Sequence, residues 1–175
     1  FKRVNGYLFA GPDGDSSILD KELAAAKRAG FYDVEMVSQV PGISGRGLKF
    51  PRQGQFDPVM YCQGLAKVIV DKGGIIFTNT HVKEFQGGKD ARVVTDEGIS
   101  VACNHIAVCT NVPVNDRVTM YTKMEPYRSY AISAKVKKGS YPQQLWWDTA
   151  EPYHYVRLTP SHGTGQDSEY DILIS

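Results

Sequence analysis

The stretch Asp57-Pro58-Val59-Met60-Tyr61-Cys62-Gln63-Gly64-Leu65-Ala66-Lys67-Val68-Ile69-Val70-Asp71-Lys72-Gly73-Gly74-Ile75-Ile76-Phe77-Thr78 decides the fold. Asp57 is a capping residue, and Pro58 suits the first helical turn, where its missing N–H would have no partner. Val59, Cys62, Leu65, Ala66, Ile69 and Val70 then recur at the spacing of one helical face. Gly73-Gly74 stops the helix, and Ile75–Thr78 reads as a strand that follows at once. Helix, tight turn and strand in this order lay a helix against a sheet, the layering of an α/β or α+β domain.

Downstream the chain is β-rich. Thr80–Phe85 alternates, Gly87-Gly88 turns, Ala91–Thr95 runs back, Glu97-Gly98 turns again and Ile99–Cys103 returns, which predicts a three-strand meander. His105–Thr110 is almost continuously apolar, the pattern of a strand covered on both faces. After a turn at Pro113 to Asp116, the segments Tyr127–Val136, Gln144–Asp148, Tyr153–Thr159 and Tyr170–Ile174 predict an antiparallel sheet.

Upstream, Pro12-Asp13-Gly14-Asp15-Ser16-Ser17 precedes Ile18, Leu19, Leu23 and Ala26 at helical spacing, with Lys27, Arg28 and Gly30 marking the end of that helix. Asp13 and Asp15 lack the further oxygen ligands and distal Glu of a calcium loop, so capping outranks metal binding. Residues 31–37 read as a short strand. Pro41–Gly54, with four glycines, two prolines and three basic residues, reads as a long loop. Its Gly45-Arg46-Gly47 completes neither a phosphate-binding GxGxxG nor a GxSxG elbow.

The chain has 175 residues, 42% hydrophobic and 22% charged, with a net charge of +1 and no block of either sign. That balance argues against disorder and against a nucleic-acid partner. No apolar run approaches the ~18–20 residues that span a bilayer, so a cytoplasmic domain is expected. Cys62, Cys103 and Cys109 fit neither a zinc site nor a CxxC pair, and they are expected to be small buried hydrophobes, with a disulfide between two of them the less favoured reading.

Tyr127, Tyr130, Trp146, Trp147, Tyr153, His154, Tyr155 and Arg157 all fall in expected strands. Alternation puts Tyr153, Tyr155 and Arg157 on one face and His154, Val156 and Leu158 on the other. A face of two tyrosines and an arginine suits a pocket wall, with rings to pack an organic substrate and a guanidinium to hold a carboxylate. It equally suits a solvated outer face. His81, His105, His154 and His162 make no metal-binding spacing, no Ser/His/Asp order is assignable, and no metal site is expected. The residues by themselves define a mixed α/β domain with a small-molecule pocket.

From Phe50 onward the order of segments resembles FAD-dependent oxidoreductases of the D-amino-acid/glycine oxidase (DAO) superfamily. The residues that carry the resemblance are Phe50-Pro51-Arg52-Gln53-Gly54-Gln55-Phe56-Asp57-Pro58, Tyr61, Gly64-Leu65-Ala66, Gly73-Gly74, Phe77, Asn79-Thr80-His81-Val82 and the meander. Cys109-Thr110-Asn111 with Pro113, then Lys123-Met124-Glu125-Pro126-Tyr127-Arg128, and Trp147-Asp148-Thr149 through Pro152–Leu158 continue it. The resemblance implies an α+β fold: a substrate-domain part in residues 1–50, part of an FAD-binding domain in 51–115, and an antiparallel substrate-binding sheet in 116–175.

It also implies roles. Val82 would meet the adenine end of FAD through its backbone, and Thr110 and Asn111 would approach the flavin. Gln55, Phe56 and Asp57 would border the substrate. Tyr127, Tyr130, Trp147, Tyr155 and Arg157 would lie over the isoalloxazine ring. The implied reaction is hydride transfer from an amine-bearing carbon to flavin N5, giving an imine that water hydrolyses. No catalytic base is assigned.

The departures matter too. The family's opening GxGxxG strand–turn–helix has no counterpart here, and Phe1 is not an initiator Met. The chain stops at Ile174-Ser175 without a turn, where the family's last flavin-binding strand and helix would begin. An internal fragment is therefore expected, holding FAD weakly or not at all when alone, with the remainder of its own polypeptide and a small amine or amino acid as partners. The competing reading is a stand-alone ligand-binding module without a redox role. A hydrolase would need a nucleophile–base pair that the residues do not supply.

Overall fold

The structure is a computed structural model that describes residues 1–12, 14–112, 114, 125, 127–161 and 169–175. The expected turn at Pro113 to Asp116, together with Asp13, Lys123, Met124, Pro126 and His162, lies outside the described residues or reaches beyond them. Among those described, two helices and ten strands make an α+β fold. The chain divides into two compact units, Phe1–Tyr61 with Tyr130–Ser175, and Cys62–Ser129.

The first unit is a seven-stranded mixed sheet. Its strands are β1 (Lys2–Phe9), β2 (Glu35–Val37), β3 (Gly47–Gln55), β7 (Ser133–Lys137), β8 (Leu145–Asp148), β9 (Tyr155–Pro160) and β10 (Tyr170–Ile174). They lie in the order β2-β3-β1-β8-β9-β10-β7. Neighbours are antiparallel except β1 and β8, which run parallel. The expected antiparallel sheet is its β8-β9-β10-β7 part, in which every pair is antiparallel. β1, which joins the two halves, leaves little trace in the pattern because Asn5 and Gly6 interrupt its apolar residues.

Helix α1 (Ser17–Arg28) forms where its capping residues place it. Asp15 supplies the cap: its carboxylate accepts the Ser17 N–H at 2.8 Å and the Ser17 hydroxyl at 2.5 Å. The Ser17 hydroxyl first, then the Ser17 N–H, hold the Asp15 carboxyl below its ordinary value. Leu19 of α1 is fully buried with Leu8, Val34 and Leu48, and Leu23, Ala26, Met36, Phe50 and Trp147 pack around them. On the opposite face Tyr7, Val40 and Trp146 form a second core, flanked by Phe9, Val37, Ile43 and Val156. Each fully buried Leu contributes about 1.5–3 kcal/mol relative to exposure.

Two expectations in this unit are corrected. The glycine- and proline-rich stretch expected to be a loop contains the nine-residue strand β3. Proline is tolerated there because β2 accompanies β3 only as far as Lys49, leaving that edge open. Pro51 and Arg52 also fall in a bulge, where the register to β1 shifts between Val4 and Gly6 and Arg52 adopts a φ of 56°. Gly47 is a strand glycine for a packing reason: a Cβ would stand 2.6 Å from the Leu8 carbonyl oxygen. Secondly, β7 begins only at Ser133, so Tyr127 and Tyr130 lie outside any strand. Two hydrogen bonds between Ile132 and Ser175 extend the β7–β10 ladder by one pair.

In the second unit β4 (Val82–Gln86), β5 (Arg92–Thr95) and β6 (Ser100–Ala102) form the expected meander in the order β4-β5-β6. Helix α2 (Pro58–Asp71) enters this unit from the first. Asp57 caps it by accepting the N–H groups of Val59 at 2.8 Å and Met60 at 3.1 Å. Gly73, at a φ of 83°, closes it with N–H bonds from Gly73 to Val70 and from Gly74 to Ile69.

The expected apolar face of α2 is present but uncovered, since no residue of the helix is buried. The strands expected at Ile75–Thr78 and His105–Thr110 do not form either. A run of β-branched residues becomes a strand only when another strand takes its N–H and C=O groups. Among the described residues neither run has such a neighbour. The three cysteines are free, with Cys62 and Cys109 exposed rather than buried as expected. No helix among the described residues is long and apolar enough to cross a membrane.

Candidate functional site

The register of β8 and β9 assembles the site. Leu145 pairs with Arg157 and Trp147 with Tyr155, so all four side chains share one face of the sheet. The parallel pairing of β1 with β8 adds Gly6 and Leu8 to that face. Helix α1 covers its β2-β3-β1 end, and Trp147 marks the limit of that cover. The Trp147 ring lies 5.4 Å from Phe50, centroid to centroid, and directly over Gly6. Beyond it the face opens. Tyr155 is 64% exposed, and Arg157 is exposed with no ion-pair partner among the described residues.

Alternation along β9 holds as the sequence implies. Val156 turns to the core of Tyr7, Val40 and Trp146, and Leu158 is fully buried. Tyr153, just ahead of the strand, meets Tyr155 edge to face at 5.1 Å. Partial desolvation, then the neighbouring Tyr153 and its hydrogen bond, raise the Tyr155 hydroxyl above its ordinary pKa.

A second arrangement escapes a reading of spacing. Asp148, the last residue of β8, is only 7% exposed. Its Oδ1 accepts the backbone N–H groups of His154 at 2.9 Å and Ala150 at 3.2 Å, and its Oδ2 lies 2.8 Å from His154 Nδ1. Desolvation works to raise the Asp148 carboxyl, but the His154 backbone and ring bonds and the Ala150 bond outweigh it and hold it below its ordinary value. An ionised carboxylate only accepts, so His154 Nδ1 carries the proton. Asp148 is committed to His154. The signal is an Asp–His separation of six residues, meaningful only once the hairpin brings its ends together.

The other expected site residues are dispersed. Phe56 packs edge to face on Tyr61 at 5.7 Å. Gln55 donates to the Leu158 carbonyl at 2.8 Å while its buried Oε1 has no partner among the described residues. Tyr130 is 87% exposed. In the second unit, Tyr127 is 85% exposed and donates to Glu125 at 3.1 Å. There too, Val82 opens β4 opposite Thr95, and Thr110 donates its hydroxyl proton to the Val112 carbonyl at 2.7 Å, beside exposed Asn111. Among the described residues no group of three or more His, Cys, Asp and Glu side chains converges on a metal position.

Both helix N-termini are closed to phosphate. Asp15 and Asp57 occupy first-turn N–H groups with their own carboxylates and repel a further anion. Neither of these helix N-termini therefore offers an open cradle for the pyrophosphate of a dinucleotide. What the second unit does offer is exposed apolar side chains on unpaired backbone at Ile75, Ile76, Phe77 and Val108, material suited to covering a flat ring.

A Bacillus subtilis (strain 168) protein, named as the Rieske 2Fe-2S iron-sulfur protein YhfW, is 27% identical over 161 residues, covering 91% of this chain. The matched span is 31% of that relative, so the chain covers about a third of its length. The pattern of the FAD-dependent oxidoreductase family, DAO, matches residues 1–170, and the chain belongs to that family.

Proposed function

We propose that the protein oxidises an amine or amino acid, with the open face of the seven-stranded sheet as its substrate wall. The observation behind this is the exposed Arg157, without an ion-pair partner among the described residues, standing beside Tyr155 and Trp147 on one face. A free guanidinium flanked by rings is the chemistry that holds a small carboxylate with an apolar body. FAD, when bound, supplies the acceptor for the hydride that leaves the amine-bearing carbon. Arg157 anchors the substrate, Tyr155 and Trp147 limit its orientations, and the rings keep water from the carbon until an imine has formed.

In this reading residues 1–50 and 116–175 form the substrate side and 51–115 belong to the flavin side, with Val82, Thr110 and Asn111 as the cofactor-facing positions. Tyr130 and Phe56 are further substrate-side positions in this reading. The uncovered apolar face of α2 is read as packing on further polypeptide of the same protein.

The test uses the full-length protein carrying FAD, mixed without oxygen with a panel of α-amino acids and their decarboxylated amines. Bleaching of the flavin absorbance by at least one compound is the expected result. Calorimetric binding of amino acids with no bleaching by any of them would instead favour a binding module without a redox role.

A further inference from the structure

We infer that Asp148 is a positioning residue for the Tyr153–Tyr155 pair, acting through His154. The inference rests on the reading of that face as the substrate wall and adds a residue buried behind it. Tyr153 and Tyr155 are 58% and 64% exposed, so packing does little to fix their rings. Both flank His154, whose side chain points to the other side of the strand.

Asp148 grips that intervening residue twice, through the backbone N–H at 2.9 Å and the ring at 2.8 Å, and the Asp148 N–H returns a bond to the His154 carbonyl at 3.3 Å. A third acceptor bond, from Ala150, ties in the start of the connecting turn. The backbone bonds set the path on which both tyrosines ride, and the ring bond removes the freedom of the one side chain between them. A turn can be closed by a neutral Asn or Ser without burying a charge. A buried carboxylate is costly unless fully bonded, and this one directs two of its three bonds to the residue between the tyrosines.

The experiment uses the full-length flavin-bound protein and its Asp148→Asn, His154→Ala and His154→Asn variants. Asn at 154 keeps an N–H donor near the place of Nδ1, whereas Ala does not. The first readout is the phenolate absorbance titration of Tyr155, taken as the difference from a Tyr155→Phe protein. Asp148→Asn and His154→Ala are expected to lower the Tyr155 titration, and His154→Asn to restore it toward the parent. The second readout is flavin reduction by glycine and by alanine. Asp148→Asn is expected to raise KM about fivefold or more with kcat within about twofold, the signature of binding lost equally from ground and transition states when the tyrosine wall loosens.

Identical Tyr155 titrations in parent, Asp148→Asn and His154→Ala would overturn the inference. So would a fall in kcat at unchanged KM. If no amine or amino acid reduces the flavin, the proposed function fails, and the tyrosine titration alone still decides the role of Asp148.

Discussion

The indole of Trp147 lies so close over Gly6 that a Cβ at that glycine would stand 2.7 Å from ring atom Cζ3. The same ring is held from another side by Phe50. It therefore has little room to yield, and it joins the α1-covered core to the open face bearing Tyr155 and Arg157.

Gly6→Ala is accordingly expected to destabilise the first unit by about 1–3 kcal/mol through overpacking. Urea unfolding followed by tryptophan fluorescence measures it. A loss below about 0.5 kcal/mol, the range of neutral surface changes, would show that the ring can move aside.

Arg157→Ala is expected to weaken recognition of carboxylate-bearing substrates specifically. A hydrogen bond to a charged group is worth about 1.5–3 kcal/mol, so KM for glycine should rise by roughly 10- to 150-fold. KM for methylamine, which lacks the carboxylate, should change by less than about twofold. Equal changes for both amines would assign Arg157 a structural role.

How much of this could be read from the sequence depended on whether the deciding partner was close in the chain. Both helices were legible because Asp15, Asp57 and Gly73 act within a turn or two of themselves. The meander was legible because Gly87-Gly88 and Glu97-Gly98 announce its turns. Strand β3 was not, since Pro51 and Gly47 read as loop residues until β1 supplies the bulge and the close carbonyl. Ile75–Thr78 and His105–Thr110 fail in the opposite sense. Their composition records a demand for neighbouring strands, and periodicity cannot say whether those strands are at hand. In the site, the shared face of Tyr155 and Arg157 followed from alternation alone, but its openness did not, because alternation cannot say what covers a face. The Asp148–His154 bond depended on the cross-strand register of Trp147 with Tyr155.

Asp148 also carries an acid-stability prediction. Its folded pKa is depressed, so its stabilising effect is present above the unfolded value, about 4. That effect is lost as the pH falls through the lower folded value. In urea unfolding between about pH 6 and about pH 2, the parent should therefore lose stability faster than Asp148→Asn. The gap between the two should be widest near neutrality and close in acid. A constant gap across the range would mean that the carboxylate gains nothing from its bonds to His154 and Ala150.

Helix α2 separates a surface from an interface. Leu65 belongs to its apolar face and is 46% exposed. Leu65→Ala keeps a strong helix former, so within residues 1–175 alone it should change stability by less than about 0.5 kcal/mol. In the full-length protein, where that face is proposed to pack on further polypeptide, the same change should cost about 2–4 kcal/mol, as expected of a buried Leu. Equal, small costs in both would leave α2 as a solvated helix and remove the packing support for placing residues 51–115 on the flavin side. Equal, large costs would mean that the face is already covered from within the chain. Only a cost that appears with the longer polypeptide matches a helix whose apolar stripe is an internal interface of the longer protein.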